Sequence, residues 1–281
     1  MEANRITKIT ISNIWNRYNL EWTDLHPDVN IVVGINGSGK TTIFKIIDAV
    51  MRADIKALKG FGVNVVIDFE GHNSVVYTPK TTLIDLKRQL AGINYCKIST
   101  FDVPLRDRSV NSKNFSQLYS QLYNLVYDIA GEESSLSDYR LMATNYPEKA
   151  DHINKRIQAF FATVDRLFEG TGKTISINRQ NNRLVFNDDG DIIELHQLSS
   201  GEKQLLLVLL KVFLMDEVPY ILLMDEPEIS LHIEWQHRFF EEIRLLNPNT
   251  QIITSTHSPS IFADGWGDKL IFISDMFSLK Q

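Results

Sequence analysis

A glycine-rich stretch, residues 34–42, places the tightest constraint on how this chain can fold. It reads Gly-Ile-Asn-Gly-Ser-Gly-Lys-Thr-Thr and matches the phosphate-binding pattern G-x-x-x-x-G-K-[ST]. Glycines let the backbone curl so that successive N–H groups point into one concavity, which suits an anion. Lys40 can reach the β- and γ-phosphates of a nucleotide, and the Thr41 hydroxyl is a hard oxygen ligand suited to Mg²⁺.

The flanks of this stretch favour phosphate binding over an ordinary glycine-rich turn. Residues 29–33 are apolar and β-branched, as in a buried strand, and residues 42–51 place apolar side chains at helical spacing. The loop would then join a strand end to a helix N-terminus, where the helix dipole favours anions. We therefore predict that a triphosphate is contacted by Asn36, Gly37, Ser38, Gly39, Lys40, Thr41 and Thr42.

Composition restricts the class of protein. The 281 residues suffice for one large domain or a domain with a lobe, and 43% hydrophobic and 23% charged residues are ordinary for a soluble globular chain. The net charge of −6 argues against a protein wrapped by nucleic acid, although a local basic patch can still bind phosphate. With a single cysteine, Cys96, no signal core at the start and no bilayer-length apolar run, we expect a cytoplasmic protein without a membrane segment.

Apolar periodicity predicts the remaining elements. Between Val103 and Gly170 the period changes from two to about 3.6, which predicts a helical lobe inserted over 103–170 in a single domain over 1–281. Helices are expected over 82–90, 115–129, 153–168 and 205–215. Strands are expected over 6–14, 20–22, 63–69, 74–77, 95–101, 174–177, 183–186, 219–224, 252–256 and 269–273.

Two acids, Asp225 and Glu226, end one of the hydrophobic strands. Ligands bind at the carboxyl edge of open α/β sheets, so Asp225 would hold Mg²⁺ and Glu226 would accept a proton from an attacking water. The alternative is a strand that ends in solvated acids. His257 follows a strand that should neighbour this one, and a lone histidine in such a place is more often structural than catalytic.

A further polar stretch precedes the apolar helix expected over 205–215. Ser199 or Ser200 would cap that helix, and the Ser200-Gly201 pair would offer backbone N–H groups at its start. The stretch is therefore either a helix cap alone or a second phosphate site.

Taken in order, four stretches resemble the ATP-binding-cassette (ABC) class of P-loop ATPases. Residues 34–41 are similar to its Walker A loop, 198–204 to its signature motif, 222–226 to its Walker B strand, and His257 to its switch histidine. The resemblance covers nearly the whole chain. It implies an α/β fold of the P-loop NTPase, ABC-ATPase head type, with a mixed central sheet, an antiparallel β subdomain and the inserted helical lobe.

Details within the class favour one branch. Residues 9–13 resemble the start of SMC, RecF and OLD-type ATPase heads. His232 stands where a transporter cassette usually has Asp, which is similar to the small stand-alone and OLD-like ATPases often found in bacterial antiphage systems.

The resemblance implies ATP and Mg²⁺ as ligands, and a homodimer that holds two ATP molecules between head-to-tail chains. Lys40, Glu226 and His257 would form the catalytic set, with Thr41 and Asp225 on the metal. The signature residues that would contact the ATP of the other chain are Ser199, Ser200, Gly201 and Glu202.

Two family features lack an obvious counterpart. For the glutamine that touches Mg²⁺ and the attacking water, Asp102 is a candidate metal ligand, with Gln89 and Gln117 as alternatives. For the aromatic residue that stacks on adenine, Trp15 and Tyr18 are candidates, although we expect Trp15 to pack in the core.

We expect an ATP-hydrolysing dimer that regulates or carries a separate effector, such as a nuclease or toxin, in antiphage defence. After His257 only a strand and a short tail remain, so we expect no nuclease domain like that of the OLD family. A basic loop containing Arg106, Arg108 and Lys113 is either solvated surface or a contact with nucleic acid or a partner. A RecF- or SMC-like DNA-repair head is therefore the second hypothesis, and a transporter ATPase subunit is the third.

Overall fold

The computed structural model describes residues 5–98, 117–128 and 134–280. In chain order, the first elements are β1 (Ile6–Ile14), β2 (Tyr18–Trp22), β3 (Val29–Val33), α1 (Lys40–Met51), α2 (Ile55–Phe61), β4 (Asn64–Phe69), β5 (His72–Tyr77), α3 (Leu83–Gln89) and β6 (Tyr95–Ile98). The middle elements are α4 (Gln117–Tyr127), α5 (Leu136–Asn145), α6 (Ala150–Phe168), β7 (Lys173–Ile177), β8 (Leu184–Asp188), β9 (Asp191–Glu194) and α7 (Ser200–Leu214). The last are β10 (Tyr220–Asp225), α8 (Ile233–Leu246), β11 (Thr250–Thr256), β12 (Leu270–Phe272), α9 (Ile273–Met276) and β13 (Phe277–Leu279).

The chain divides into two compact units. Unit 1 comprises Met1–Thr100, Val218–Glu228 and Asn249–Gln281, and unit 2 comprises Phe101–Glu217 and Ile229–Pro248.

A parallel sheet positions the candidate site within unit 1. Its strand order is β12-β3-β11-β10-β6, and every neighbouring pair is parallel. The carboxyl ends of parallel strands share one edge of a sheet. The glycine-rich loop follows β3, the two acids close and follow β10, and His257 follows β11, so three of the predicted site stretches lie at that edge.

An antiparallel sheet, in the order β13-β2-β1-β4-β5, completes unit 1. One hydrophobic core joins this sheet to α1 and to parts of the parallel sheet. Phe44 and Ile47 of α1 are fully buried in that core, and burial of each such side chain contributes about 2 kcal/mol. The core thus anchors the helix whose first residue is Lys40.

Unit 2 is built around α7, which is apolar on nearly all sides and packs against α4, α5, α6 and α8. A three-stranded antiparallel sheet, β7-β8-β9, belongs to the same unit. The buried Arg156 of α6 secures the end of α7, because its guanidinium donates to the Phe213 carbonyl (2.8 Å) and pairs with Glu217 (2.5 Å).

The predicted α/β P-loop fold with an antiparallel β subdomain is confirmed. The central sheet was expected to be mixed, but every described strand pair in it is parallel, and the antiparallel strands form separate sheets. The helix predicted over 115–129 is present as α4, and the expected ends of that helix lie outside the described residues. Six of the described elements were not predicted, namely α2, α5, β9, α8, α9 and β13. The 103–170 boundary of the helical lobe stays a prediction. In the described part of the chain, no helix combines the length and apolar character needed to cross a membrane.

Candidate nucleotide-binding site

The glycine-rich loop turns sharply between β3 and α1. Gly37 and Gly39 have φ angles of 79° and 101°, in the left-handed region that glycine adopts without strain. A Cβ atom on Gly39 would also lie 2.6 Å from Cη2 of the Trp15 indole, so the indole ring packs directly against the loop backbone. Ile35, Asn36 and Gly37 form the exposed tip of the loop.

Lys40 lies inside this loop. Its Nζ donates to the carbonyl oxygens of Gly34 (2.8 Å) and Ile35 (3.3 Å), so the loop curls around the ammonium group. Burial lowers the pKa of Lys40, and the negative charges of Glu226 and Asp225 act in the opposite direction. The ammonium group is therefore enclosed, faces nearby acids, and is held by neutral carbonyl oxygens that a phosphate oxygen can replace.

The N-terminus of α1 differs from a usual helix start in its side chains. Its N-cap is Gly39, no side chain of the described residues caps it by a hydrogen bond, and no acid lies in its first turn. The half-buried Thr41 and Thr42 occupy that turn. Since the first N–H groups of a helix lack intrahelical acceptors, this end suits an external anion.

The acids after β10 interact directly with the end of β11. The Ser255 hydroxyl donates to Oδ1 of Asp225, and the Glu226 N–H donates to the Ser255 carbonyl (3.0 Å). Glu226 adopts a φ of 52°, which is uncommon for a residue with a side chain. Its Oε1 lies 3.3 Å from Nε2 of His257. The prediction that the two strands are neighbours is confirmed, and Glu226 and His257 form a pair.

A third acid, Glu228, belongs to the same cluster and was missed in the sequence. It is only 8% exposed, and its Oε1 accepts hydrogen bonds from the Thr256 hydroxyl (2.6 Å) and the His257 N–H (2.9 Å). The Asp-Glu-Pro-Glu run places this residue next to the predicted acids, but its partners, Thr256 and His257, are distant in sequence.

An open cavity of about 890 Å³ lies beside the loop. Trp15, Tyr18 and Phe277 form an aromatic cluster on its wall, with ring centroids 5.7 to 6.2 Å apart. His257 and Ser38 also line this cavity. The expectation that Trp15 packs in the core is wrong, because its side chain is 50% exposed.

The start of α7, in unit 2, has its own cap. The Ser199 hydroxyl accepts from the Glu202 N–H (3.2 Å), and Glu202 Oε2 accepts from the Ser199 N–H (2.7 Å). Oε1 of Glu202 accepts from Lys173 (2.7 Å). Burial alone would raise the pKa of Glu202, but the bonds from Lys173 and Ser199 hold it below its ordinary value. Of the two serines predicted as possible caps, Ser199 is the N-cap. Both carboxylate oxygens of Glu202 accept hydrogen bonds from groups of the same chain.

Glycine is required at position 201 by close packing. A Cβ atom there would lie 2.3 Å from the carbonyl oxygen of Ser230. The exposed Ser200 precedes it, and the capping box involves neither residue. The predicted contacts of Ser199, Ser200, Gly201 and Glu202 with a nucleotide of another chain stay predictions, and Glu202 has the least capacity for one.

The structure bears on one candidate replacement for the missing glutamine, Gln89. Asp102 and the basic residues Arg106, Arg108 and Lys113 lie outside the described residues. Gln89 does not fit the role, since both ends of its amide bond the backbone of Val76.

The residues present fit ATP and Mg²⁺. The Ser38 hydroxyl is buried and has no hydrogen-bond partner in the described part of the chain, and a phosphate oxygen would supply one. Thr41 and Asp225 offer the oxygen ligands that Mg²⁺ prefers. The α1 N-terminus and Lys40 would balance the phosphate charge.

Solved structures share this fold. An Smc head bound to the C-winged helix domain of ScpA superposes with a TM-score of 0.59 over 92% of both chains, at 15% identity. The SMC head domain from Thermotoga maritima gives a TM-score of 0.52 at 17% identity, again over 92% of both chains. The fold and the assembled motifs define a P-loop ATPase of the ABC/SMC type.

A family match narrows the class. Residues 87–263, more than half of the chain, match the family described as "AAA domain, putative AbiEii toxin, Type IV TA system". The chain belongs to this family. The match includes the start of α7, the acids after β10 and His257, and it begins after the glycine-rich loop.

Two curated relatives match over shorter segments. An "Uncharacterized ABC transporter ATP-binding protein" from Haemophilus influenzae is 38% identical over 87 residues, which are 31% of this chain and 32% of that protein. The "Retron Vc95 probable ATPase" from Vibrio cholerae is 30% identical over 99 residues, which are 31% of this chain and 19% of that protein. The aligned segments thus span about a third or less of these relatives.

Proposed function

We propose that this protein hydrolyses ATP, that two ATP molecules hold two copies of it head to tail, and that the dimer regulates a separate effector protein. The observation that supports hydrolysis is the meeting of Lys40, Asp225, Glu226 and His257 at one edge of the parallel sheet. A nucleotide-binding protein without turnover would not need a carboxylate and a histidine paired beside the loop.

Glu226 is the group that would accept the proton of the attacking water. The water oxygen bonds to the γ-phosphorus, the bond from that phosphorus to the ADP oxygen breaks, and the water proton passes to Glu226. His257 orients the carboxylate through the 3.3 Å contact. Thr41 and Asp225 would hold Mg²⁺, which neutralises phosphate charge when bound.

The aromatic cluster would receive the base. Trp15 lines the cavity with half of its surface exposed, and Tyr18 and Phe277 pack around it. Stacking of a base on an aromatic ring contributes about 1–3 kcal/mol. Trp15 is therefore proposed as the stacking residue, with Phe277 as its support.

The exposed loop tip supports a role for a second copy. Ile35 is 81% exposed, a large apolar side chain on the loop that would hold the phosphates. In the head-to-tail arrangement, the start of α7 from the other chain would cover this tip and contact the γ-phosphate. The free energy of ATP binding would then stabilise the dimer, and hydrolysis would remove that stabilisation.

The proposed effector and the defence role are supported by relatives. The family description refers to a toxin and a toxin–antitoxin system, and one relative is described as a retron ATPase. Affinity purification from the native host, with mass determination of the intact complex, tests this part. Recovery of a stoichiometric protein partner is expected. Recovery of duplex DNA with steep salt dependence would favour the RecF-like alternative instead.

The Glu226→Gln variant tests turnover and dimerisation together. We expect its ATP hydrolysis to fall at least about 100-fold, while light scattering shows an ATP-dependent dimer. The control is Glu241→Gln, which changes an exposed carboxylate on α8. Parental turnover in the Glu226 variant would show that the base is assigned incorrectly, and a monomer at saturating ATP would refute the dimer.

A further inference from the structure

Glu228 connects two strand ends that the catalytic assignment treats separately. It lies three residues beyond β10, yet its Oε1 binds the last residue of β11 and the residue after it. One bond comes from the Thr256 hydroxyl and one from the backbone N–H of His257. A buried carboxylate that receives two hydrogen bonds from one neighbouring segment fixes the position of that segment.

Thr256 extends this connection by one residue. Its hydroxyl donates to Glu228 and accepts from the Ser258 N–H (2.9 Å). Thr256 is fully buried, so water does not compete for these bonds. Glu228 therefore organises the backbone on both sides of His257.

The second oxygen of Glu228 indicates that packing alone does not account for this residue. Oε2 is buried and has no hydrogen-bond partner in the described residues. An unpaired buried carboxylate oxygen is unfavourable, and such a group in a folded protein calls for an explanation. The charge of Glu228 also acts on the Lys40 ammonium, which places it within the electrostatic environment of the site.

The histidine is thus held at both ends by acids two residues apart. Glu226 faces its ring, Glu228 binds its backbone, and the buried Pro227 between the acids restricts their spacing. We propose that Glu228 is a positioning residue that holds His257 in reach of Glu226 through Thr256 and the His257 amide. The role of Glu228 in holding His257 does not depend on the proposed ATPase function, whereas its expected effect on kcat rests on that function.

Four variants separate the contribution of each bond. Glu228→Ala removes the acceptor, and Glu228→Gln keeps an acceptor oxygen while it removes the charge. Thr256→Val removes the hydroxyl at nearly constant shape, and Thr256→Ser keeps it. The control is Glu241→Ala, at an exposed position on α8.

Amide hydrogen exchange by NMR provides a readout that does not depend on activity. Exchange of the His257 amide should be at least about tenfold faster in Glu228→Ala, whereas Glu228→Gln should keep most of the protection. Thr256→Val should accelerate the Ser258 amide, whose acceptor it removes, and Thr256→Ser should not. Unchanged His257 exchange in Glu228→Ala, or full loss of protection in Glu228→Gln, would overturn the proposal.

Kinetics test the consequence for the reaction. Glu228→Ala should lower kcat about 10- to 100-fold with the KM for ATP changed less than about twofold, because the histidine loses its position and the nucleotide contacts remain. Glu228→Gln should restore kcat to within about threefold of the parent. An unaltered kcat in Glu228→Ala would contradict the positioning role. If the parent protein does not hydrolyse ATP, the proposed function fails, while the exchange measurement still decides whether Glu228 holds His257.

Discussion

In the described structure, helix α1 begins without a capping side chain and without an acid in its first turn, whereas helix α7 begins with the reciprocal Ser199–Glu202 capping box. Both follow a short polar stretch that contains serine and glycine, and both are predicted to meet phosphate. At α7 the acid is neutralised by Lys173, with 2.7 Å between the charged atoms. At α1 the first residue, Lys40, donates to two backbone carbonyls, and no acid pairs with it in the part of the chain that the structure describes.

The difference indicates a division of roles between the two helix starts. Every helix leaves its first N–H groups without intrahelical acceptors. At α7 the Ser199 and Glu202 side chains meet part of this need before any ligand arrives. At α1 an anion would meet this need, and the buried Ser38 hydroxyl, which has no hydrogen-bond partner among the described residues, could bind the same anion. We therefore expect ATP to order the start of α1 and to meet α7 as a preformed surface.

The largest effect is expected at the α1 end. Lys40→Ala should weaken ATP binding at least about 100-fold, because it removes a charge-assisted contact to the phosphates. Isothermal titration calorimetry measures this, with Lys45→Ala as the control on the exposed face of the same helix. Equal affinities for the two variants would contradict the assignment of the loop.

A second effect is expected at the α7 end, on stability. Lys173→Ala should lower the free energy of unfolding by about 2–4 kcal/mol, because Glu202 is left buried with its charge uncompensated. Urea denaturation measures the loss, and Lys155→Ala, at an exposed pair on α6, is the control. A loss below about 0.5 kcal/mol, as for surface pairs, would show that the cap does not depend on Lys173.

The same pair gives a pH dependence with a definite sign. Because the folded-state pKa of Glu202 lies below its ordinary value of 4.5, the stabilisation is fully present above pH 4.5 and is lost as pH falls below that value. In Lys173→Ala this part of the acid-induced loss should shrink. Parallel stability curves for the two proteins between pH 5 and about 3 would contradict it.

The smallest effects compare two serines. Ser199→Ala should cost about 1 kcal/mol, the usual value for loss of an N-cap. Ser38→Ala should leave stability unchanged or raise it by less than about 1 kcal/mol, because its buried hydroxyl has no hydrogen-bond partner among the described residues. Thermal unfolding of the nucleotide-free proteins measures both. Comparable destabilisation by the two variants would remove the contrast between the helix starts.

Local patterns in the sequence predict the parts of the site that depend on neighbouring residues. The loop at 34–42, with its strand and helix, follows from residue types within a few positions of one another. The Ser199 cap is equally local. In contrast, α2 is seven residues long and β13 only three, too short to show a period.

Distant contacts account for the errors at Trp15 and Glu228. Trp15 was expected in the core, but its environment depends on Phe277, at the other end of the chain. Glu228 was overlooked because its role depends on Thr256 and His257, 28 and 29 residues later. Such partners meet only once β10 and β11 pair in parallel.

Mixing two inactive variants tests most directly whether the open start of α1 and the capped start of α7 form one site across two chains. Lys40→Ala removes the α1 half. Ser200→Glu places a negative charge at the exposed start of α7 and should block the other half. We predict that neither variant alone hydrolyses ATP, and that an equimolar mixture recovers about one quarter of the parental rate, since half of the dimers would carry one intact site. Full activity of Ser200→Glu alone, or a mixture as inactive as its components, would contradict the shared site.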